Sequence, residues 1–262
     1  MRQDADGKQE GAHMSGRLEG KVFAITGGES GIGHAIATRC VAEGASVMIG
    51  GIQDDRLAKV AGQAGGPGKL AVTRCDVTRK DQVDALIAHT VKTYGRLDGA
   101  VANAGAFNDA TPFVDYTLEE WNRVVGINMT GVFLTLQAAA RVLLKQGGGG
   151  SLIATGSSTA VRPAPMHIPY VSSKGGVHLM MRALAIELAP HKIRCNTIVP
   201  GLTYTPAATR NPGYIEAGLK VIPMGEVVQP EEIAAIVAFA LSDEVPHMTG
   251  TLLKVDAGRT SA

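Results

Sequence analysis

The 262-residue chain reads as an α/β protein: a doubly wound parallel sheet of about seven strands with helices on both faces. Three observations predict this. Short apolar runs of strand length alternate with longer helical stretches, the pattern of βαβ units. A glycine-rich turn, Thr26-Gly-Gly-Glu-Ser-Gly-Ile-Gly33, joins the first apolar run to the first helix. No linker, composition shift or internal repeat divides the chain, so residues 17–262 read as one domain.

Each element has its own signal. Residues 21–26 form the first strand, and the helix behind the glycine turn runs from about 31 to 43. A second strand covers 45–49. A weak helix and a Gly/Pro loop at 65–68 then lead to a third strand at 69–73. Thr78 is the expected N-cap of a helix reaching Tyr94, which Gly95 closes. The fourth strand is 97–102. One long helix spans about 118–146 and stops at four consecutive glycines. Strands follow at 151–155, 193–198 and 251–255. The stretch from about 202 to 228, with Pro206, Pro212 and Pro223, has little periodicity and reads as a long substrate loop.

The bulk numbers exclude several function classes. Net charge is +1, with 45% hydrophobic and 19% charged residues, so nothing in the electrostatics calls for nucleic acid as a partner. No uninterrupted apolar run approaches the roughly 20 residues of a membrane span. Residues 1–16 are polar and lack the apolar core of a secretion signal, so they read as a disordered tail outside the fold. Cys40, Cys75 and Cys195 are far apart and odd in number, which suits free thiols in a reducing cytoplasm. His167 and His191 have no partners at metal-ligand spacing, so no metal is expected.

Two constellations carry chemistry. A glycine turn between strand and helix lets phosphate approach the backbone, and the helix start adds N–H donors and partial positive charge. Tyr170-Val-Ser-Ser-Lys174 places a phenol and an ammonium one helical turn apart. A free tyrosine, with a pKa near ~10, exchanges protons poorly at neutral pH, and a neighbouring cation favours its phenolate. Each feature alone is more often structural: a tight turn, a packed ring, a solvated lysine. Their joint order along the chain is what gives them weight.

The turn spacing Gly-x-x-x-Gly-x-Gly, with Asn103-Ala-Gly105 and Tyr170-x-x-x-Lys174, closely resembles the short-chain dehydrogenase/reductase family. Cys75-Asp-Val77, Asn128, Ser157, Pro200-Gly201 and Val255-Asp-Ala-Gly258 extend the resemblance over about 18–258. It implies a Rossmann-like fold and a nicotinamide cofactor. It places Gly27, Ser30, Gly31, Ile32 and Gly33 along the pyrophosphate and ribose, and Asp76 and Val77 at the adenine. Asn103 and Gly105 would border the cofactor, with Pro200, Gly201, Thr203 and Thr205 on the nicotinamide side. Thr203 departs from the aliphatic residue usual there. Tyr170 would be the general acid/base, with Lys174 lowering its pKa and holding the nicotinamide ribose. Ser157 would orient the substrate oxygen, and Asn128 would carry a water-linked proton relay.

Cofactor choice rests on the end of the second strand. The acid that NAD-preferring relatives place there is missing, since Gly51 occupies the position, and the arginine typical of NADP users is replaced by Ile52. Ser30 fills another frequently basic position. Glu29, Asp54 and Asp55 lie close by in the sequence and would repel a 2′-phosphate, so NAD(H) is favoured over NADP(H).

The expected activity is interconversion of a secondary alcohol and a ketone. Phe107, Met166, Ile168, Tyr204 and Ile222 are expected to give the pocket apolar walls, and Arg162 or Arg210 would be needed for an acidic substrate. Trp121 and Phe133 are expected to pack the long helix. The resemblance also implies a homotetramer. Reduction of 3-ketoacyl thioesters with NADPH is the alternative enzyme reading, and a non-catalytic nucleotide sensor the alternative without chemistry.

Overall fold

The computed structural model describes residues 16–62, 66–210 and 212–262. The expected tail, apart from Gly16, and Gly65 of the Gly/Pro loop lie outside the described residues. Seven strands form one parallel sheet: β1 (Val22–Thr26), β2 (Ser46–Gly51), β3 (Lys69–Arg74), β4 (Gly99–Ala102), β5 (Gly150–Thr155), β6 (Ile193–Pro200) and β7 (Leu252–Val255). Their order is β3-β2-β1-β4-β5-β6-β7. The winding direction reverses between β1 and β4, and the crevice beyond their carboxyl ends is where ligands bind in such sheets.

Helices cover both faces. α1 (Gly31–Ala42), α2 (Asp54–Ala61) and α8 (Pro230–Leu241) lie on one side, where Ile36, Cys40, Leu57, Ile233 and Val237 meet Phe23, Ile25 and Ile153. α3 (Lys80–Tyr94), α5 (Gly131–Gln146) and α6 (Ile168–Leu188) lie on the other, where Leu86, Val132, Leu136, Val177 and Met181 meet Ala100 and Leu152. The central strands are apolar throughout because both of their faces are buried. Arg194 on β6 is buried and donates to the carbonyls of Ala240, Ser242 and Met248, closing the carboxyl end of α8.

The elements differ from the sequence expectation in instructive places. The long helix is three pieces: α4 (Leu118–Val125), a π-helical turn (Gly126–Thr130), then α5. Its 29 residues, with a mean hydropathy of 1.4 in the most apolar window, are long and apolar enough to cross a membrane. Half of that window is buried, with α5 packed against β4, β5 and α3. Phe133, expected to pack, is 45% exposed. α3 starts at Lys80, because the Thr78 N–H and hydroxyl both turn back to Asp76 Oδ1. Gly95 closes that helix in the left-handed region, as read from the sequence. β4 starts at Gly99, and Asp98 just before it bonds Val22 through both its backbone N–H and its side chain. The 202–228 stretch is not all irregular: it holds α7 (Pro212–Leu219), and a bridge between Thr203 and Val228 ties its base.

Candidate active site

The expected site residues all lie at the carboxyl ends of the strands. Gly27 and Gly31 take φ of +65° and +53°, which turns the chain sharply from β1 into α1. A Cβ on Gly33 would run into Gly27 O, so the turn and the helix touch backbone to backbone. Ser30 stands before α1 without capping it through its side chain, so the first-turn N–H groups of α1, Ile32 among them, face the turn's mouth. Asn103, past β4, holds this turn from the side, with Nδ2 donating to Thr26 O at 3.3 Å and Gly27 O at 3.2 Å. Thr155 in turn donates to Asn103 Oδ1. Asn103 thus braces the turn as well as bordering it.

Across the crevice, Asp76 and Val77 follow β3. Asp76 is engaged with Thr78, and Val77 is buried against Gly131. Thr205, in the loop after β6, lies over Gly31, its methyl in ordinary contact distance of a Cβ placed there. Pro200 ends β6, and Gly201 packs against Asp256. Thr203 faces inward: it is buried, and its hydroxyl donates to Gly201 O.

Tyr170 and Lys174 on α6 meet Asn128 of the π-helical turn beside the ends of β4 and β5, and Ser157 follows β5. Lys174 is 3% exposed and its Nζ donates to Thr155 O at 2.7 Å. Burial pushes its pKa down to about 8. Tyr170, one turn earlier, is also buried, and Lys174 Nζ lies 5.9 Å from its ring centre. Phe107 stacks on the Tyr170 ring, with centroids 4.4 Å apart and planes 18° from parallel.

Asn128 sits in the π-helical turn and is fully buried. Its Oδ1 accepts the Ala106 N–H at 2.7 Å, and its Nδ2 donates to Ala106 O at 2.9 Å and Ser173 Oγ at 3.3 Å. A Cβ on Gly105 would lie 3.3 Å from Asn128 Oδ1 and 3.6 Å from Lys174 Nζ, which puts these three groups in one small volume. Ser157 Oγ lies 2.8 Å from Thr159 Oγ1 and accepts the Thr159 N–H.

His178 was not singled out by the sequence. Its Nε2 accepts the Ser157 N–H at 3.3 Å. Burial, helped by the Lys174 charge, pushes its pKa down to about 4. Its only sequence signal is its place one helical turn after Lys174 and two after Tyr170. Of the expected pocket walls, Phe107 stacks on Tyr170, Met166 and Tyr204 are exposed, Ile168 is partly buried, and Ile222 is buried. Arg162 donates to Arg259 O in the carboxyl-terminal segment, and Arg210 is exposed. Among the described residues, no group of three His, Cys, Asp or Glu is placed to hold a metal. The three cysteines are free and buried, with thiols pushed up to about 12 by burial.

This geometry agrees with what the chain is similar to. The family model described as enoyl-(acyl carrier protein) reductase matches residues 27–260. A 2,5-dichloro-2,5-cyclohexadiene-1,4-diol dehydrogenase of Sphingobium indicum is 36% identical over 248 residues, covering 93% of this chain and 98% of that protein. The crystal structure of a short-chain type dehydrogenase/reductase from Mycobacterium marinum superposes with a TM-score of 0.89 at 36% identity, over 94% of this chain and 97% of that one. The 3-ketoacyl-(acyl-carrier-protein) reductase of Brucella melitensis, solved with NADH, gives a TM-score of 0.88 at 33% identity, over 93% and 99%. The chain therefore belongs to the short-chain dehydrogenase/reductase family and is an oxidoreductase that interconverts alcohol and carbonyl groups with a nicotinamide cofactor.

Proposed function

We propose that the enzyme acts on a secondary alcohol or its ketone with an apolar body, prefers NAD(H) to NADP(H), and uses Tyr170 to exchange the proton. The observation that carries this reading is the buried ammonium of Lys174, fixed on Thr155 O beside the Tyr170 ring. A cation held in a dry site favours a phenolate far more than one in water does.

The residues fit a dinucleotide. Gly27 and Gly33 let the turn pack closely on Ala104 and Asn103, the first-turn N–H groups of α1 would take a pyrophosphate, Asp76 and Val77 would stand at the adenine end, and Thr205 lies over Gly31. When bound, the nicotinamide supplies a hydride acceptor or donor at C4. In reduction, Tyr170 Oη gives its proton to the carbonyl oxygen; in oxidation, its phenolate takes the hydroxyl proton. Ser157 Oγ orients that oxygen, and Lys174 stabilises the phenolate. Asn128 fixes the Ala106 backbone and Ser173 behind the lysine. Phe107, stacked on Tyr170, with Met166 and Tyr204 gives the substrate an apolar surface. Arg162, tied to the carboxyl-terminal segment, lends no support to an acidic substrate.

A buried Lys174 beside Tyr170, with Asn128 close by, argues against a nucleotide sensor, which has no chemical need of them. NADPH-dependent reduction of ketoacyl thioesters is not favoured, because the basic side chain beside the end of β2, Arg74, is already paired with Asp54. Exposed apolar side chains on α5 and α6, among them Phe133, Leu179 and Ile186, support a homotetramer, and the buried free thiols suit the cytoplasm.

Tyr170→Phe tests the chemistry. With a panel of secondary alcohols and ketones, turnover is expected to fall by roughly 10²–10⁴-fold while nicotinamide nucleotide affinity stays within a few-fold. Turnover within tenfold of the unchanged enzyme would remove Tyr170 from the proton step.

A further inference from the structure

Gly51 is the last residue of β2 and carries no side chain with which to hold an adenosine ribose. The space such a side chain would fill is nevertheless not empty. A Cβ built on Gly51 would fall inside the carboxylate of Glu29, which folds over from the glycine turn. Glu29 Oε1 accepts the Ile52 N–H at 3.2 Å and so anchors the group across the strand end. Its other oxygen, Oε2, is buried and has no hydrogen-bond partner. A buried carboxylate oxygen left unpaired is costly, and a turn of the Glu29 carboxylate toward a ribose hydroxyl relieves that cost.

We propose that Glu29, reaching across from the phosphate turn, is the acceptor for the adenosine ribose hydroxyls and the residue that selects NAD(H) against NADP(H). The proposal rests on the nicotinamide-nucleotide reading above and deepens it.

Apart from Asp55, the other charged groups near the strand end have partners of their own. Arg74, paired in register with Gly51, donates from one guanidinium nitrogen to Ile52 O and to both oxygens of Asp54, each at 3.0 Å. Asp76 is taken by Thr78. Asp55 is exposed at the start of α2. Glu29 combines a position fixed by the Ile52 N–H with a buried acceptor oxygen that has no partner. A ribose diol supplies donors to it. A 2′-phosphate supplies only acceptors and about two negative charges, and meets a carboxylate held in place. The arrangement also explains the glycine: position 51 is bare because Glu29 occupies its side-chain volume.

The test is fluorescence titration of the purified full chain with NADH and, separately, NADPH, without substrate or turnover. The unchanged protein is expected to bind NADH at least about tenfold more tightly than NADPH, the size of one charge-assisted hydrogen bond. Glu29→Gln keeps an acceptor for Ile52 N–H but removes the charge, so NADPH affinity should rise and the preference shrink to within about threefold. Glu29→Ala should weaken NADH about tenfold. Glu29→Ala with Gly51→Asp, which moves the carboxylate onto the strand, should restore the NADH preference. This rescue also shows that the single variants lost a ligand contact and not their fold. An unchanged affinity ratio in both single variants would overturn the role of Glu29 while leaving the enzyme reading intact. NADPH preference that disappears in Arg74→Ala would assign the ribose to Arg74 instead. Binding of neither nucleotide by the unchanged protein would sink the cofactor reading itself.

Discussion

His178 shows how one buried ring couples the site to pH. Its Nε2 accepts from Ser157 N–H, which needs a neutral ring, and burial together with the nearby Lys174 charge favours that form. In the folded state it titrates at about 4, against 6.5 for an ordinary histidine. Between these values the unfolded chain binds a proton that the folded one does not, so stability rises with pH through this window and is lost as pH falls from 6.5 to 4. About 2–3 kcal/mol is at stake. Urea unfolding at pH 7 and pH 4.5 should show a larger loss in the unchanged protein than in His178→Gln, which keeps an acceptor and does not titrate. Parallel losses would mean that other groups carry the acid sensitivity. Tyr170, Lys174 and Ser157 were legible because their spacing is fixed by helix geometry and strand ends. His178 and the reach of Glu29 were not, because each depends on a contact between segments distant in sequence.

The π-helical turn is the feature of the elements that no hydrophobic period reveals. Residues 118–146 carry one apolar stripe, which reads as a single helix. The one-residue bulge at Gly126–Thr130 swings Asn128 inward, where it bonds both the N–H and the C=O of Ala106. Bulges of this kind are frequent at functional sites. Asn128→Ala removes the partner of both backbone groups and of Ser173 Oγ. It is expected to lower stability by about 2–4 kcal/mol and to cut turnover by more than the loss of folded protein explains. Denaturant unfolding and active-site-normalised rates measure the two. A stability within 1 kcal/mol of the unchanged protein would show that water replaces the amide. The start of α3 was displaced for a related reason: Asp76 captured Thr78 locally, and side chains of this type compete with helix capping.

At the scale of the whole molecule, seven alternating segments and an undivided composition were enough to predict a parallel sheet, because both-face burial makes each central strand apolar without interruption. Helix α7 was missed because prolines and glycines mask its eight residues. Association is a surface property that the sequence left open. Val132, Leu136 and Val177 went into the core, while Phe133, Leu179 and Ile186 stayed outside. Sedimentation equilibrium is expected to return four times the 27.2 kDa chain mass, and Leu179→Asp with Ile186→Asp to lower it. A monomeric mass for the unchanged protein would refute the tetramer.

The carboxyl-terminal segment has a practical consequence. Arg259 Nη1 donates to Ser158 Oγ at 3.1 Å and to Arg162 O at 3.3 Å, and Arg162 donates back to Arg259 O. Asp256 Oδ2 accepts both the N–H and the hydroxyl of Thr260. The last residues of this chain are therefore stitched to the loop that carries Ser157. A fusion partner or an immobilisation linker attached after Ala262 would pull on that stitching within a few residues of the reacting oxygen.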